Sequence, residues 1–267
     1  MFQAIRRMLE RTGEGRLAAA IPAGERVYAV GDIHGRLDLF EALVAAIEAD
    51  DAASGPADTT VILLGDLVDR GPDSAGVIAL ARAWQAKRKV RILQGNHEEM
   101  FLRSFRDVET FRHFLRHGGR ETVLSFGVDK EQFWPASLEE AQALMAAAVP
   151  ADDIAYLKSF EDMIAIGDYL FVHAGIDPRV PIGEQRTKDL RWIREPFLSH
   201  TDSHGAVVVH GHTISEAPED CGNRIGIDTG AFMSGRLTAL VLEGTARRYI
   251  EAVQTEAGSI STTALAA

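Results

Sequence analysis

The sequence is poor in the features that mark secreted, membrane-spanning and nucleic-acid-binding proteins. Its only cysteine is Cys221, so no disulfide can form within the chain, and we expect a reducing, cytoplasmic location. Basic residues number 28 against 39 acidic ones, a net charge of −11. This argues against nucleic-acid partners, which require a basic face. No apolar run is long enough to span a bilayer.

What remains is the composition of an ordinary globular protein, with 46% hydrophobic and 25% charged residues. We predict a single domain over residues 26–253. Residues 1–25 lack the apolar core of a signal peptide and form an N-terminal extension with arginines and apolar residues at helical spacing. An amphipathic helix there could dock on the domain or on a membrane surface, and docking on the domain or fraying is favoured. Residues 254–267 are small and polar and predict a disordered tail.

Three apolar segments near the N-terminus each end in glycine followed by polar residues. They are Val27–Val30, Thr59–Leu64 and Val90–Leu93, and the polar residues after them include Asp32 and His34, then Asp66, Asp69 and Arg70, then Asn96 and His97. Residues at helical spacing separate the three segments. A strand–helix–strand–helix–strand order predicts a parallel α/β sheet with right-handed crossovers.

The second half of the chain begins with a change of pattern. Residues 98–160 have apolar positions at helical spacing and predict a helical insertion beside the site. Short strands are then predicted at 163–166, 170–172, 206–209 and 224–227. The strands at 237–242 and 248–253 have short connectors, and we expect an antiparallel meander within a second sheet.

Six potential metal ligands stand at strand ends: Asp32, His34, Asp66, Asn96, His173 and His212. Ligands of open α/β sheets gather at the carboxyl ends of strands, so these side chains can meet in space. Carboxylates mixed with imidazoles suit Mn, Fe or Zn better than Mg or Ca. Singly, each has another interpretation: Asp32 or Asp66 could cap a helix, and His173 could be a structural hydrogen-bonding residue.

The motifs together resemble those of the calcineurin-like metallophosphoesterases. They are Gly31–Gly35, Gly65–Gly71, Gly95–Glu98, His173–Gly175 and Gly211–Thr213. From Val27 to Gly244 the chain is most similar to the phosphoprotein-phosphatase branch, which includes bacterial and phage serine/threonine phosphatases and symmetrical diadenosine tetraphosphatases. The resemblance implies an α/β fold of two mixed β-sheets, packed as a sandwich and flanked by helices, with the metal site at strand carboxyl ends.

The resemblance also implies a role for each site residue. Asp32 and His34 would hold a first metal and Asp66 would bridge to a second, held by Asn96, His173 and His212. His97 would be the general acid, oriented by Asp69, while Arg70 and Arg194 would clamp phosphate. The cofactors implied are two divalent ions, with Mn favoured and Fe or Zn also suited. A metal-bound hydroxide would attack the phosphorus directly.

We therefore predict a phosphomonoesterase acting on phosphorylated protein, a serine/threonine phosphatase. A small phosphate ester or a dinucleotide is the alternative substrate, as in a symmetrical diadenosine polyphosphate hydrolase. Ile214 stands where some metallophosphoesterases carry a further histidine, which favours the phosphatase branch. A non-catalytic metal-containing binding protein is the alternative of another class, and we expect it to lack His97, Asp69 or an arginine clamp. Three arginines at helical spacing in the insertion suit a solvated face or an extension of an anionic pocket.

Overall fold

A computed structural model describes residues 18–266 of the protein. The helix considered for the N-terminal extension falls largely on residues 1–17, outside the described part. Within the extension, Ile21 is buried and its N–H donates to the carbonyl of Gly244 at 2.8 Å. The last residues of the extension therefore pack against the domain.

The first half of the chain alternates strands and helices and then becomes helical. Its elements are β1 (Glu25–Val30), α1 (Leu37–Ala53), β2 (Asp58–Leu63), α2 (Ser74–Gln85), β3 (Val90–Ile92), α3 (Asn96–Ser104), α4 (Val108–Phe114), a π-helical turn (Leu115–Gly119), α5 (Arg120–Ser125), α6 (Lys130–Phe133), α7 (Leu138–Ala148) and α8 (Ala151–Lys158).

The second half is mainly strands. Its elements are β4 (Met163–Ile166), β5 (Tyr169–Val172), a 3₁₀ turn (Ile182–Glu184), α9 (Thr187–Trp192), β6 (Val207–His210), β7 (Glu219–Asp220), β8 (Arg224–Gly226), α10 (Ala231–Ser234), β9 (Arg236–Glu243), β10 (Ala246–Gln254) and β11 (Ile260–Ala266).

The strands form two mixed sheets, which confirms the predicted α/β sandwich. The first sheet has the order β11-β10-β9-β1-β2-β3 and the second β4-β5-β6-β8-β7. In the first, β1, β2 and β3 run parallel; in the second, β5, β6 and β8 run parallel. Both sheets therefore present a set of parallel carboxyl ends.

Alternation along β1 explains why the first sheet is covered on both faces. Tyr28 and Val30 pack in the cluster that includes helices α1 and α2, whereas Val27 and Ala29 pack against the second sheet. Successive strand side chains point to opposite faces, so an apolar run buries both. The sandwich thus has one core beneath its helices and another between its sheets.

Two predictions about the C-terminal part are wrong. The strands predicted at 237–242 and 248–253 do not join the second sheet: β9 pairs antiparallel with β1, Val30 opposite Ala239, and β10 pairs with β9. A meander pattern fixes neighbours within the hairpin but does not say which sheet's open edge it extends, and here it covers the exposed edge of β1.

The second wrong prediction is the disordered tail over residues 254–267. Residues 260–266 form β11, which pairs with β10 from Ile260 opposite Gln254 to Ala266 opposite Arg248. Small and polar residues gave no apolar alternation, but an edge strand needs little burial, because its backbone hydrogen bonds hold it. A turn at Gly258, with φ of 81°, reverses the chain.

The helical insertion forms its own apolar cluster, which includes Phe101, Phe111 and Phe114. The cluster also contains Val68 and Ile78, so it packs on the loop after β2 and on α2. Over residues 18–266, no helix is both long and apolar enough to cross a bilayer.

Candidate metal centre

Six strand ends from the two sheets meet at one end of the sandwich. The polar residues that follow these strands are Asp32, Asp66, Asn96, His173, His212 and Asp228. Backbone hydrogen bonds join their loops: the N–H of His34 donates to Asp66 O at 2.8 Å, and that of Gly211 to His173 O at 2.8 Å. The convergence predicted from the strand-end pattern is therefore present in the fold.

The backbone is strained where these loops meet. Five residues other than glycine have positive φ in the described chain, and every one is a predicted site residue: His34 (47°), Asp66 (50°), Asp69 (75°), Arg70 (72°) and His212 (64°). Such conformations cost of order 1–3 kcal/mol each and persist only where the surroundings enforce them. Strain confined to these positions makes them candidates for a functional site.

Two glycines of the motifs are required by close packing on the carboxylates. A Cβ at Gly211 would lie 2.0 Å from Oδ1 of Asp32, and one at Gly95 would lie 2.1 Å from Oδ1 of Asp66. Any side chain at either position would push a carboxylate out of place. These glycines allow the backbone to approach the carboxylates.

Asp66 lies at the centre of the site. Its Oδ1 accepts the N–H of His97 at 3.0 Å, while Oδ2 lies 3.7 Å from Nε2 of His34 and 3.4 Å from Nε2 of His173. Ligand atoms that share a divalent ion at about 2.0–2.2 Å lie roughly 3.0–3.6 Å apart. The distances from this single oxygen of Asp66 to His34 and to His173 are thus close to those expected between two ligands of one ion.

Two groups of potential ligands share Asp66. In each, the ligand atoms lie within 4.8 Å of one another: one contains His34, Asp66 and His97, the other Asp66, His173 and His212. Nδ1 of His34 donates a hydrogen bond to the carbonyl of Val68 at 2.8 Å. The lone pair of that ring is therefore on Nε2, which faces the site.

His173 is oriented in the same way. Its Nδ1 donates to Leu64 O at 2.8 Å, and its Nε2 lies 2.9 Å from Oδ1 of Asn96, which is in turn 2.8 Å from Nδ1 of His212. The carbonyl contact of each oriented histidine fixes its tautomer, as is common for metal-binding histidines. Asn96, His173 and His212 therefore converge as the sequence predicted.

Asp32 belongs to neither three-residue group, but it contacts the second group through His212. Its Oδ2 accepts the N–H of His212 at 3.0 Å, and its Oδ1 is buried without a hydrogen-bond partner. Burial, and then the charges of Asp228 and Asp66, raise the pKa of Asp32 well above its usual range. A neighbouring cation would relieve this crowding of carboxylates.

The chemistry of the donor set fits divalent cations. Acceptor atoms of carboxylates, an amide and imidazoles point toward one another, and Nε2 of His212 is also buried without a partner. Converging lone pairs repel unless a proton or cation lies among them. Burial alone would raise the pKa of Asp66, but His173 and His97 outweigh burial and hold it well below its usual range.

His97 and Asp69 form a buried hydrogen-bonded pair. Nδ1 of His97 lies 2.6 Å from Oδ2 of Asp69, which leaves Nε2 directed at the site, 3.9 Å from Oδ2 of Asp66. Burial disfavours protonation of His97, but the charge of Asp66 and the hydrogen bond that His97 donates to Asp69 outweigh burial, so the pKa of His97 is raised. Thr122 donates to the other Asp69 oxygen at 2.6 Å, so the insertion holds this aspartate.

The two predicted arginine clamps are placed differently. Arg70 is half-buried and directs Nη1 to Nε2 of His34 and Nη2 to Nε2 of His97, each at 3.0 Å. Arg194 is exposed beyond α9. Burial is the main cause of the lowered pKa of His212, about 3, and the positive charge of Arg194 contributes to it. Arg70 is inside the cluster and Arg194 at its edge.

Glu98 was missed by the sequence interpretation, although it stands in the quoted Gly95–Glu98 motif. It is fully buried and accepts four backbone N–H groups, those of Asp66, Leu67, Val68 and Gly95. Burial, and then the charge of Asp66, raise its pKa to about 7. The available signal was its position three residues after Gly95 at a helix start, which is that of a capping acid.

Comparisons with known proteins agree with this geometry. The family described as calcineurin-like phosphoesterase matches residues 25–229. The chain is 28% identical over 218 residues to serine/threonine-protein phosphatase 1 of Salmonella typhimurium, covering 79% of this chain and 89% of that protein. It is 27% identical over 237 residues to the asymmetrical bis(5′-nucleosyl)-tetraphosphatase of Anoxybacillus flavithermus, covering 79% and 88%.

A solved structure has the same fold. A cold-active protein tyrosine phosphatase superposes with a TM-score of 0.57 at 19% identity, covering 91% of this chain and 81% of the other. At that identity the likeness concerns the architecture alone. It agrees with the two-sheet sandwich described above.

Proposed function

Because the chain belongs to the calcineurin-like phosphoesterase family and is a metal-dependent phosphatase, we propose that it removes phosphate from phosphoserine and phosphothreonine in proteins. The observation that carries the proposal is the central position of the Asp66 carboxylate. One of its oxygens lies between His34 and His173, with Nε2 of His97 beside it.

We assign the metal ligands as a pair of sets. Asp32 and His34 would hold one cation, Asn96, His173 and His212 would hold the other, and Asp66 would contribute to both sets. Bound divalent cations supply Lewis acidity: they lower the pKa of a water and neutralise phosphoryl charge. The mixture of oxygen and nitrogen donors favours Mn, with Fe and Zn also accepted.

His97 is proposed as the proton donor to the leaving oxygen. Asp69 accepts from Nδ1 and so fixes the ring with Nε2 facing the site. The raised pKa keeps a larger share of the imidazole protonated near neutral pH, which is the state a general acid needs. Thr122 and Asp69 hold the ring's orientation and do not exchange protons with substrate in this proposal.

The two arginines are proposed to bind the phosphoryl oxygens. A guanidinium offers paired donors that match two oxygens of a phosphate. Arg70 approaches from among the ligand side chains, and Arg194 from solvent at the rim. Arg70 would bind each phosphate directly, while Arg194 would close on substrates from the rim.

A cavity beside α3 favours a peptide over a dinucleotide. It has a volume of about 310 Å³ and lies next to the helix that carries His97. Its lining includes Glu99, Asp107, Glu109 and Arg103, and two of these carboxylates also pair with other arginines, Glu99 with Arg191 at 3.3 Å and Glu109 with Arg112 at 3.5 Å. Burial, and then the charges of His117 and Arg116, lower the pKa of His113 at the same cavity, so it adds little positive charge. This lining presents no excess of positive charge to a polyphosphate chain, and it suits a peptide better.

The testing experiment compares two substrates on the same Mn-loaded protein. Phosphate release from phosphoserine peptides is measured beside cleavage of diadenosine tetraphosphate, with products separated by chromatography. We expect higher kcat/KM on the peptides. Faster cleavage of the dinucleotide would replace the protein-phosphatase proposal with the dinucleotide one. Two diphosphate products would then identify symmetrical cleavage, and a triphosphate with a monophosphate asymmetrical cleavage.

The alternative of another class is a metal-containing binding protein without turnover. It predicts metal uptake with no phosphate release from any ester, including p-nitrophenyl phosphate. The presence of the His97–Asp69 pair and of Arg70 argues against it. The single cysteine, Cys221, is exposed, and from it we also propose a reducing cytoplasmic location.

A further inference from the structure

Phe232 packs on two predicted site residues without belonging to any strand-end motif. The guanidinium carbon of Arg70 lies 4.6 Å from the centre of its ring, and the ring meets that of His34 nearly edge-on, with centres 5.4 Å apart and planes at 85°. An aromatic face attracts a guanidinium through its quadrupole. Phe232 thus contacts the charged end of Arg70 from outside the ligand cluster.

The short helix α10 holds Phe232 in place from both sheets. The N–H of Gly230 donates to Oδ1 of Asp228, which follows β8, at 2.9 Å. Arg36, from the loop after β1, donates through Nη1 to the carbonyl of Ala231 at 2.9 Å. Left-handed residues bound the helix, Gly230 (φ 69°) and Gly235 (φ 68°). The ring is therefore fixed relative to the loops that carry the site.

Arg70 has few other restraints on its charged end. Among residues 18–266 no carboxylate lies within ion-pair distance of it, and its hydrogen-bond partners are the Nε2 atoms of His34 and His97. A long arginine side chain loses about 2 kcal/mol of rotamer entropy when it is held in one position. A rigid aromatic face next to the guanidinium reduces the freedom that phosphate binding would otherwise have to remove.

We propose that Phe232 is a positioning residue that holds the Arg70 guanidinium for phosphate binding. The inference rests on the proposed function of Arg70 as a phosphate clamp. Phe232 also packs against the ring of His34, but its proposed effect on phosphate acts through the Arg70 guanidinium. Its expected contribution is to affinity for the phosphate group, independent of what the phosphate is attached to.

The test measures binding of inorganic phosphate to the metal-loaded full chain by calorimetry. Phe232→Leu removes the aromatic face and keeps an apolar side chain, and we expect roughly three- to tenfold weaker phosphate binding. Phe232→Tyr keeps the face and is expected to bind as the wild type does. Met233→Ala is the matched control, because Met233 is the next residue of the same helix and is 69% exposed. It should leave phosphate affinity unchanged.

A double-mutant cycle with Arg70→Ala distinguishes positioning from direct contact. The inference holds if Phe232→Leu weakens phosphate binding in the wild-type background and has no further effect in the Arg70→Ala background. An equal loss in both backgrounds, or no loss in either, would overturn it. Phe232→Met gives the same comparison if the leucine variant unfolds, and metal content is measured for every variant. Failure of the proposed function is seen separately, as absence of ester hydrolysis by the wild type.

Discussion

Replacement of Glu98 by glutamine tests how the central loop is held. The two oxygens of Glu98 each accept two backbone N–H groups: Oε1 those of Leu67 (2.7 Å) and Val68 (3.2 Å), Oε2 those of Asp66 (2.9 Å) and Gly95 (3.0 Å). The amide of glutamine has one oxygen, so whichever way it turns, its NH₂ group faces two N–H donors. Two hydrogen bonds are lost and two buried donors are left unpaired.

The magnitude follows from these contacts. Each buried donor without a partner costs about 1–3 kcal/mol. Part of this is returned, because the neutral amide is no longer repelled by Asp66, the repulsion that helps to raise the pKa of Glu98 to about 7. We expect a net loss of about 2–4 kcal/mol in the free energy of unfolding. Asp66 should also be held less firmly, so metal retention during dialysis should fall.

The assay is urea unfolding at neutral pH, with metal content measured by mass spectrometry on the same samples. Glu140→Gln is the matched control, because Glu140 occupies the same position of a capping box on α7 but is exposed. We expect that control to change stability far less than Glu98→Gln does, because its side chain stays hydrated. If Glu98→Gln were as mild as the control and kept its metal, Glu98 would not hold this loop.

Three further predictions concern single positions. His97→Asn should lower kcat by about a hundredfold or more while metal content is unchanged; equal activity would remove His97 as the proton donor. Gly211→Ala places a Cβ 2.0 Å from Oδ1 of Asp32 and should lower metal content, whereas Gly183→Ala, which has nothing within 4 Å, should not. Burial lowers the pKa of His204 from 6.5 to about 4, so stability is lost as pH falls from 6.5 toward 4. His204→Asn should reduce that loss by about 1 kcal/mol after solvent screening. The measurement is thermal melting at pH 6.5 and at pH 4, and a variant whose melting temperature falls between them as much as that of the wild type would contradict the prediction.

The local parts of the site could be predicted because their signals are local. An apolar strand that ends in glycine and then a carboxylate or imidazole occupies only a few consecutive residues, and Asp66 and His173 each stand at such a position. The rule that parallel strands present their carboxyl ends at one edge then brings distant positions together. The candidate ligand set follows from these two steps, whereas the two-sheet sandwich was implied by the resemblance to the family.

Other features depend on contacts between segments far apart in the chain. Three of the four N–H groups that Glu98 accepts lie 30 to 32 positions away in the chain, and the hydrogen bond from Thr122 to Asp69 spans 53 positions. Phe232 reaches Arg70 only after the loops of both sheets have assembled. No periodicity within a window of the sequence encodes such pairs.

The sequence by itself determined which residues end the strands, and with them the chemistry offered at that edge. Tertiary structure alone decided that β9 and β10 extend the first sheet, that residues 260–266 form a strand, and how the strained loops are held. The physical reason is that strand identity depends on the pattern of neighbouring side chains. Edge pairing and loop strain, by contrast, are settled by long-range hydrogen bonds, whose partners the sequence pattern leaves open.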